Sequence, residues 1–240
     1  IGVLDSAEGT LLGTIALGDQ PPADAARRGE IYFHDAVRCF QGWHSCGSCH
    51  LDGGRVDGLP WDFMRDGIGN GKDVMSLVYL PHTAPHGRRA KRFDPRGCME
   101  SGVVGSHMLI PEPSDVDDLL AFASSIEPEP NPVVPQSSEA ARRGKVLFEG
   151  KAQCAICHPA PYFTDQKMHD VGLKSPGEPD GRYDTPCLVE AYRTAPYYHD
   201  GRAVTIKQAL VDHDPEHKHG EMDQLTPEEI DDLVAYVLSL

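Results

Sequence analysis

Cys46-Gly47-Ser48-Cys49-His50 and Cys154-Ala155-Ile156-Cys157-His158 are two copies of one pattern, C-x-x-C-H, the signature of covalent c-type haem attachment. Cysteines at i and i+3 of one helical turn both face a porphyrin edge. The His at i+4 stays on that face, where its imidazole ligates iron. A four-cysteine zinc site keeps its C-x-x-C pairs near each other in sequence, and a redox dithiol needs no His directly after it. The two copies therefore predict two haem c groups, with Cys46, Cys49, Cys154 and Cys157 as thioether donors and His50 and His158 as proximal iron ligands.

Outward from these motifs the chain repeats itself. Ala25-Ala26-Arg27-Arg28-Gly29 recurs as Ala140-Ala141-Arg142-Arg143-Gly144, each shortly before a haem motif. Downstream, Thr83-Ala84-Pro85-His86-Gly87-Arg88 is echoed by Thr194-Ala195-Pro196-Tyr197-Tyr198-His199-Asp200-Gly201-Arg202. Each half closes with a predicted helix. In the first, Ser114 caps an apolar-periodic run through Leu119, Leu120, Phe122 and Ile126. In the second, Thr226-Pro227-Glu228-Glu229 forms a capping box with Pro at N1, leading into Ile230, Leu233, Val234, Val237 and Leu238.

The predicted fold is all-α: two tandem cytochrome c-like haem domains with a short N-terminal β-hairpin. Residues 1–20 form the hairpin, 21–127 the first haem domain, 128–136 a proline-rich linker and 137–240 the second haem domain. The linker prolines preclude a helix and favour an extended, semi-rigid spacer. The hairpin is read from Gly2-Val3-Leu4-Asp5, a polar turn, and Leu11 to Gly18.

The 240 residues are enough for two small cores. A formal charge of -15 argues against nucleic acid or anionic membrane as partners and favours a small redox protein with a basic face. No apolar run is long enough for a membrane span. Because covalent haem attachment is completed outside the bacterial cytoplasm, the expected location is periplasmic or otherwise extracytoplasmic. Cys39, Cys98 and Cys187 remain after the haem cysteines: a Cys39–Cys98 bridge is one option, and Cys187 reads as a small buried thiol.

C-x-x-C-H, Thr-x-Pro-x-x-His-Asp-Gly-Arg, Leu-Thr-Pro-Glu-Glu and Val-Ala-Tyr-Val-Leu-Ser-Leu, in that order, resemble the bacterial di-haem cytochrome c peroxidase family, which includes the di-haem enzymes that mature methylamine dehydrogenase. The resemblance spans about residues 24–240. Trp43, Ser45, Gly58-Leu59-Pro60-Trp61-Asp62 and Asp66-Gly67-Ile68-Gly69-Asn70 resemble di-haem domains fused behind YVTN β-propellers. The hairpin itself resembles the last strands of such a propeller, which would make the chain the tail of a longer protein. The other reading is a hairpin packed on the first haem domain.

The resemblance implies that the second haem takes electrons from a small donor and passes them to the first, where hydrogen peroxide is reduced. It places a distal ligand of the second haem at His213 by gapless counting from His199-Asp200-Gly201-Arg202, with His219 and then Met222 as competitors. For the first haem, His107 is the choice and Met108 the neighbouring alternative. The acidic run Asp212 to His219 could equally be a surface loop. A calcium ion between the haems is also implied, with Thr194 and Pro196 offering carbonyls and Asp73 standing near the family's Asn.

The family's catalytic Glu lies in a Pro-x-Glu-Met loop. Here Met99 and Glu100 are inverted, which leaves Glu100 as the catalytic candidate beside His107. The family's bridging Trp is missing, with His86 and Trp61 as the nearest relay candidates. Two functions follow: a peroxidase or high-valent oxidant of a partner protein if the first haem has an open sixth site, or an electron carrier if both irons are six-coordinate.

Overall fold

The computed structural model describes residues 1–19, 21–62, 69–213 and 216–240. Asp66, Gly67 and Ile68 of the quoted loop, and Asp214 and Pro215 of the acidic run, lie outside the described residues.

Each half is built on a pair of crossed helices. In the first, α1 (Ala25–His34), capped by Asp24, packs on α4 (Pro113–Ser124). In the second, α5 (Glu139–Glu149), capped by Ser138, packs on α7 (Pro227–Leu238). The repeated Ala-Ala-Arg-Arg-Gly now has a physical reason. A Cβ on Gly29 would stand 1.9 Å from the Asp118 carbonyl oxygen, and one on Gly144 1.9 Å from that of Asp232. Only glycine lets the backbones approach this closely. The arginine just before each glycine then clamps the same partner bidentately: Arg28 on Asp118 at 2.7 and 2.6 Å, Arg143 on Asp232 at 2.6 and 2.6 Å.

Phe33, Leu119 and Phe122 fill the first core; Phe148, Leu233 and Tyr236 fill the second. Each such side chain contributes about 1.5–3 kcal/mol when buried. The capping box at Thr226 is present, with Pro227 in the first turn. Helix α4 differs from expectation: it begins at Pro113, with Glu112 at the cap and no side-chain cap bond, so Ser114 lies inside the first turn. Proline's preset φ starts this helix where a hydroxyl was expected.

Two shorter helices, α3 (Pro95–Gly102) and α6 (Ile206–Val211), follow the Gly-Arg segments, capped by Asp94 and Thr205. Helix α3 runs on into a π-helical segment, Val103–His107. A short irregular helix, α2 (Leu51–Gly54), follows the first haem motif.

The N-terminal hairpin pairs β1 (Gly2–Leu4) with β2 (Leu11–Thr14). Asp5 Oδ1 accepts from the amides of Ala7 and Glu8 and shapes the turn. Its large side chains, Leu4, Leu12 and Leu17 among them, are exposed rather than packed on the body. Two further antiparallel ladders were not expected: β3 (Pro60–Trp61) with β4 (Lys72–Asp73), and β5 (Met168–Asp170) with β6 (Arg182–Asp184). They occupy corresponding places in the two halves.

Residues 128–136 contain no helix or strand. They run past the junction between the halves, where Arg55 donates two bonds to the fully buried Glu190, at 2.9 and 2.8 Å, and a third to the Glu127 carbonyl. Lys72–Glu178, Arg89–Asp180 and Arg193–Asp52 cross the same junction. No described helix is long and apolar enough to cross a membrane.

Candidate haem sites

Both C-x-x-C-H runs fold alike. Cys46–Ser48 and Cys154–Ile156 are single 3₁₀ turns. In each, the first cysteine's carbonyl accepts the amides of the second cysteine, at 3.2 Å, and of the histidine, at 2.9 Å. Ser45 and Ser48 close a reciprocal capping box around the first turn. The tight turn brings both cysteines and the histidine to one wall of a cavity of about 960 Å³ that runs continuously between the halves.

The two histidines have a tautomer and charge state that suit a metal ligand. His50 Nδ1 donates to the Arg55 carbonyl at 3.3 Å, and His158 Nδ1 to that of Phe163 at 2.8 Å. A carbonyl only accepts, so the proton sits on Nδ1 and Nε2 carries the lone pair. Burial pushes the His50 imidazolium below its ordinary range and that of His158 down to about 4, so both rings are neutral at pH 7. Burial also pushes the Cys46 and Cys154 thiols up to about 12 and Cys49 up to about 11. A redox dithiol or zinc thiolate needs the opposite shift. The donor set fits covalently bound haem c.

Around the first site, His107 is fully buried. Its Nδ1 donates to the Arg38 carbonyl at 2.7 Å, and its Nε2 lies 3.4 Å from Cys46 Sγ. Once Cys46 is a thioether it has no proton to donate, which leaves His107 Nε2 as a buried acceptor facing the cavity. His44 lies 4.9 Å from His107, ring to ring, and stacks on Trp43 at 3.9 Å. His44 Nδ1 and His86 Nε2 are buried with no hydrogen-bond partner, and both residues line the cavity.

The second site is lined by different groups. Tyr198 Oη lies 3.0 Å from His219 Nδ1, Tyr197 donates to the Ala191 carbonyl at 2.9 Å, and His199 Nε2 meets Ser175 Oγ at 2.5 Å. His219 borders the cavity, whereas His213, just past the C-cap of α6, does not. Met222 packs in the core of the second half, and Met108 is exposed.

Glu100 is placed away from the cavity. It lies on the outer face of α3, about half exposed and 3.7 Å from Arg96, while Cys98, Met99 and Ser101 face the cavity. The helix phase turns the carboxylate to solvent. Cys39 and Cys98 are free thiols, so the bridge between them is not formed, and Cys187 is a part-buried wall residue of the cavity. Trp61 also reaches the cavity, its Nε1 donating to Asp57 Oδ2 at 2.7 Å.

Sequence reasoning missed His44 and Asp184. Asp184 is buried, and its amide donates to the Arg88 carbonyl at 3.0 Å, while the amide of Asp73 donates to the His199 carbonyl at 2.8 Å. The two bonds cross the junction reciprocally. A signal existed: both aspartates stand two residues before the segment that backs their proximal histidine, Met75 in one half and Pro186 in the other.

These features fit a c-type cytochrome, and residues 141–240 match the cytochrome c family. The chain is 26% identical to hydrazine synthase subunit gamma of Kuenenia stuttgartiensis, over 91% of this chain and 78% of that protein. It is 39% identical to the methylamine utilization protein MauG of Methylorubrum extorquens, over 30% of this chain and 24% of that protein. It is 27% identical to the cytochrome-c peroxidase IdrP1 of Denitromonas iodatirespirans, over 43% and 40%.

Among solved structures, a hydrazine synthase chain of Kuenenia stuttgartiensis superposes with a TM-score of 0.81 at 23% identity, covering 96% of this chain and 99% of that one. A MauG-like protein associated with microbial copper homeostasis gives 0.70 at 20%, covering 94% and 91%. The chain is thus a homologue of the di-haem peroxidases, MauG and hydrazine synthase gamma, consistent with the di-haem peroxidase family.

Proposed function

We propose that the chain is an extracytoplasmic di-haem c-type oxidoreductase that takes electrons at its second site and reduces hydrogen peroxide, or oxidises a partner protein, at its first. The carrying observation is an asymmetry of proton-handling groups: the buried, unpartnered imidazole nitrogens among the described residues, His44 Nδ1 and His86 Nε2, both belong to the first half. In the second half, Tyr197, Tyr198 and His199 have hydrogen-bond partners.

Haem c, held by the two cysteine pairs with His50 and His158 toward the iron, supplies one-electron chemistry and O–O bond reduction when bound. Around it, His44, His86 and His107 offer nitrogens within a desolvated wall that can take up and return a substrate proton. Trp43 holds the His44 ring by stacking. The Arg38 carbonyl fixes the tautomer of His107, which makes its Nε2 a base or a ligand but not a donor. The first site is therefore built to move protons, and the second to stay fixed during electron transfer.

The acidic surface supports a basic donor protein steered by charge. Similarity along most of the chain to a subunit of a larger enzyme supports a partner-bound setting. His107 and His219 also support a second reading, in which both irons are held by two histidines and the protein is an electron carrier. The calcium implied by the resemblance stays outside this proposal, because Asp73 is engaged by Arg88.

Optical and EPR spectra of oxidised and half-reduced protein, with steady-state turnover of peroxide and a reduced donor, test the proposal. One high-spin haem and measurable turnover are expected. Two unchanging low-spin haems with no turnover would leave the carrier.

A further inference from the structure

We infer that the cation between the two sites is this chain's own Arg88, and that the protein needs no calcium to hold its halves in register. This goes beyond the proposed activity and does not depend on it.

Of the donors the resemblance offers a calcium ion, the one carboxylate, Asp73, already holds a cation. Calcium takes several hard oxygens, carboxylate and carbonyl. Arg88 Nη2 donates to Asp73 Oδ2 at 3.1 Å, Nε reaches the Asp73 carbonyl at 3.3 Å and Nη2 the Val74 carbonyl at 3.4 Å. The guanidinium thus engages one oxygen of a buried carboxylate and two main-chain oxygens at the same strand end. The carbonyl of Arg88 accepts the amide of Asp184 from the other half.

One residue therefore binds Asp73 by its side chain and Asp184 by its backbone, which is the bridging work a metal would otherwise do. A divalent ion placed against that guanidinium would meet like charge in a low-dielectric wall, where repulsion is strong. The Oδ1 atoms of Asp73 and Asp184, buried without hydrogen-bond partners, lie within the electrostatic reach of Arg88 and draw on the same charge. A guanidinium also suits this position because it cannot be deprotonated or chelated away.

The test uses the haem-loaded full chain. Calcium is measured by inductively coupled plasma mass spectrometry, and visible spectra and haem midpoint potentials are compared before and after dialysis against EGTA. Calcium far below one ion per chain, with spectra and potentials unmoved by EGTA, is expected. A stoichiometric calcium whose removal shifts the spectra or potentials would overturn the inference, whatever the protein's activity.

Arg88→Gln is expected to shift the potentials and to gain a response to millimolar calcium, as the freed carboxylate accepts an added ion, while Arg88→Lys keeps most of the wild-type behaviour. An Arg88→Gln protein indistinguishable from wild type would also overturn it. If that variant fails to fold, the metal content and EGTA response of the wild-type protein still decide.

Discussion

Gly29 and Gly144 sit at equivalent helix crossings, meet the same kind of carbonyl at the same distance and are each preceded by an arginine that forms the same Arg–Asp clamp across the crossing. His86 and Tyr197 also occupy matching places, since each forms the bridge that closes its Thr-Ala-Pro loop, with Arg92 and Ala203 respectively. Here the halves part. Tyr197 spends its hydroxyl on the Ala191 carbonyl, while His86 leaves a buried nitrogen unpaired. The halves share what holds the helices and the C-x-x-C-H histidines, and they differ in the groups that face the rest of the cavity. A buried group without a partner costs stability, and such costs are tolerated where function uses them.

The sharpest way to break this contrast is to remove the two C-x-x-C-H histidines in turn. His50→Gly is expected to abolish peroxide turnover outright, with no reaction of peroxide in stopped flow. His158→Gly is expected to lose turnover driven by a reduced donor while the first site still reacts with peroxide in a single mixing experiment. The reverse pattern would exchange the roles assigned to the halves.

A smaller effect separates the matched loop residues. His86→Phe is expected to lower kcat/KM for peroxide by about 10²-fold, the scale of a lost general acid or base. Tyr197→Phe removes only a hydroxyl bonded to a carbonyl, and is expected to leave kcat/KM nearly unchanged. Its cost should appear in stability, about 1 kcal/mol. Steady-state kinetics beside chemical denaturation distinguishes the two.

The glycines test the shared scaffold. Gly29→Ala and Gly144→Ala each force a methyl into a backbone carbonyl, an overpacking expected to cost roughly 1–3 kcal/mol or more. The two costs should match within about 1 kcal/mol. Urea denaturation of the haem-loaded variants measures both, and a large inequality would show that the crossings are equivalent in geometry but not in energy.

The scaffold was legible from the amino-acid order because its signals are local. The C-x-x-C-H runs, the duplicated Ala-Ala-Arg-Arg-Gly, the Thr226 box and the proline-rich linker each act within a few residues of themselves, and a motif that occurs twice is easier to read than one that occurs once. The cavity's far wall was not legible. A loop position nominates Glu100, but the segment is the helix α3, and helix phase sends its carboxylate outward. Gapless counting to His213 assumes a loop length, and of the two histidines His219 is the one that borders the cavity. The Asp73–Arg88 pairing joins a strand end to a distant loop, a contact no spacing rule contains.

The smallest expected effect concerns pH and the junction between the halves. Burial, then the charge of Asp165, pushes the Asp184 carboxyl up to about 7, against the pull of Arg88. In the unfolded chain the same group titrates near its ordinary value of 3.8. The folded state therefore binds a proton that the unfolded state has released. The associated stability is complete at acid pH below 3.8 and is lost as pH rises through about 7. Thermal melting of the haem-loaded protein should show a decline between pH 5 and 8 that Asp184→Asn flattens, a difference on the order of 1 kcal/mol after screening by Arg88. Asp73, pushed up only to about 6 and paired with Arg88, should contribute less over that range, so Asp73→Asn flattens the decline less than Asp184→Asn. The opposite ranking would mean that Arg88 answers to Asp184 rather than to Asp73, and that the cation at the junction belongs to the second half.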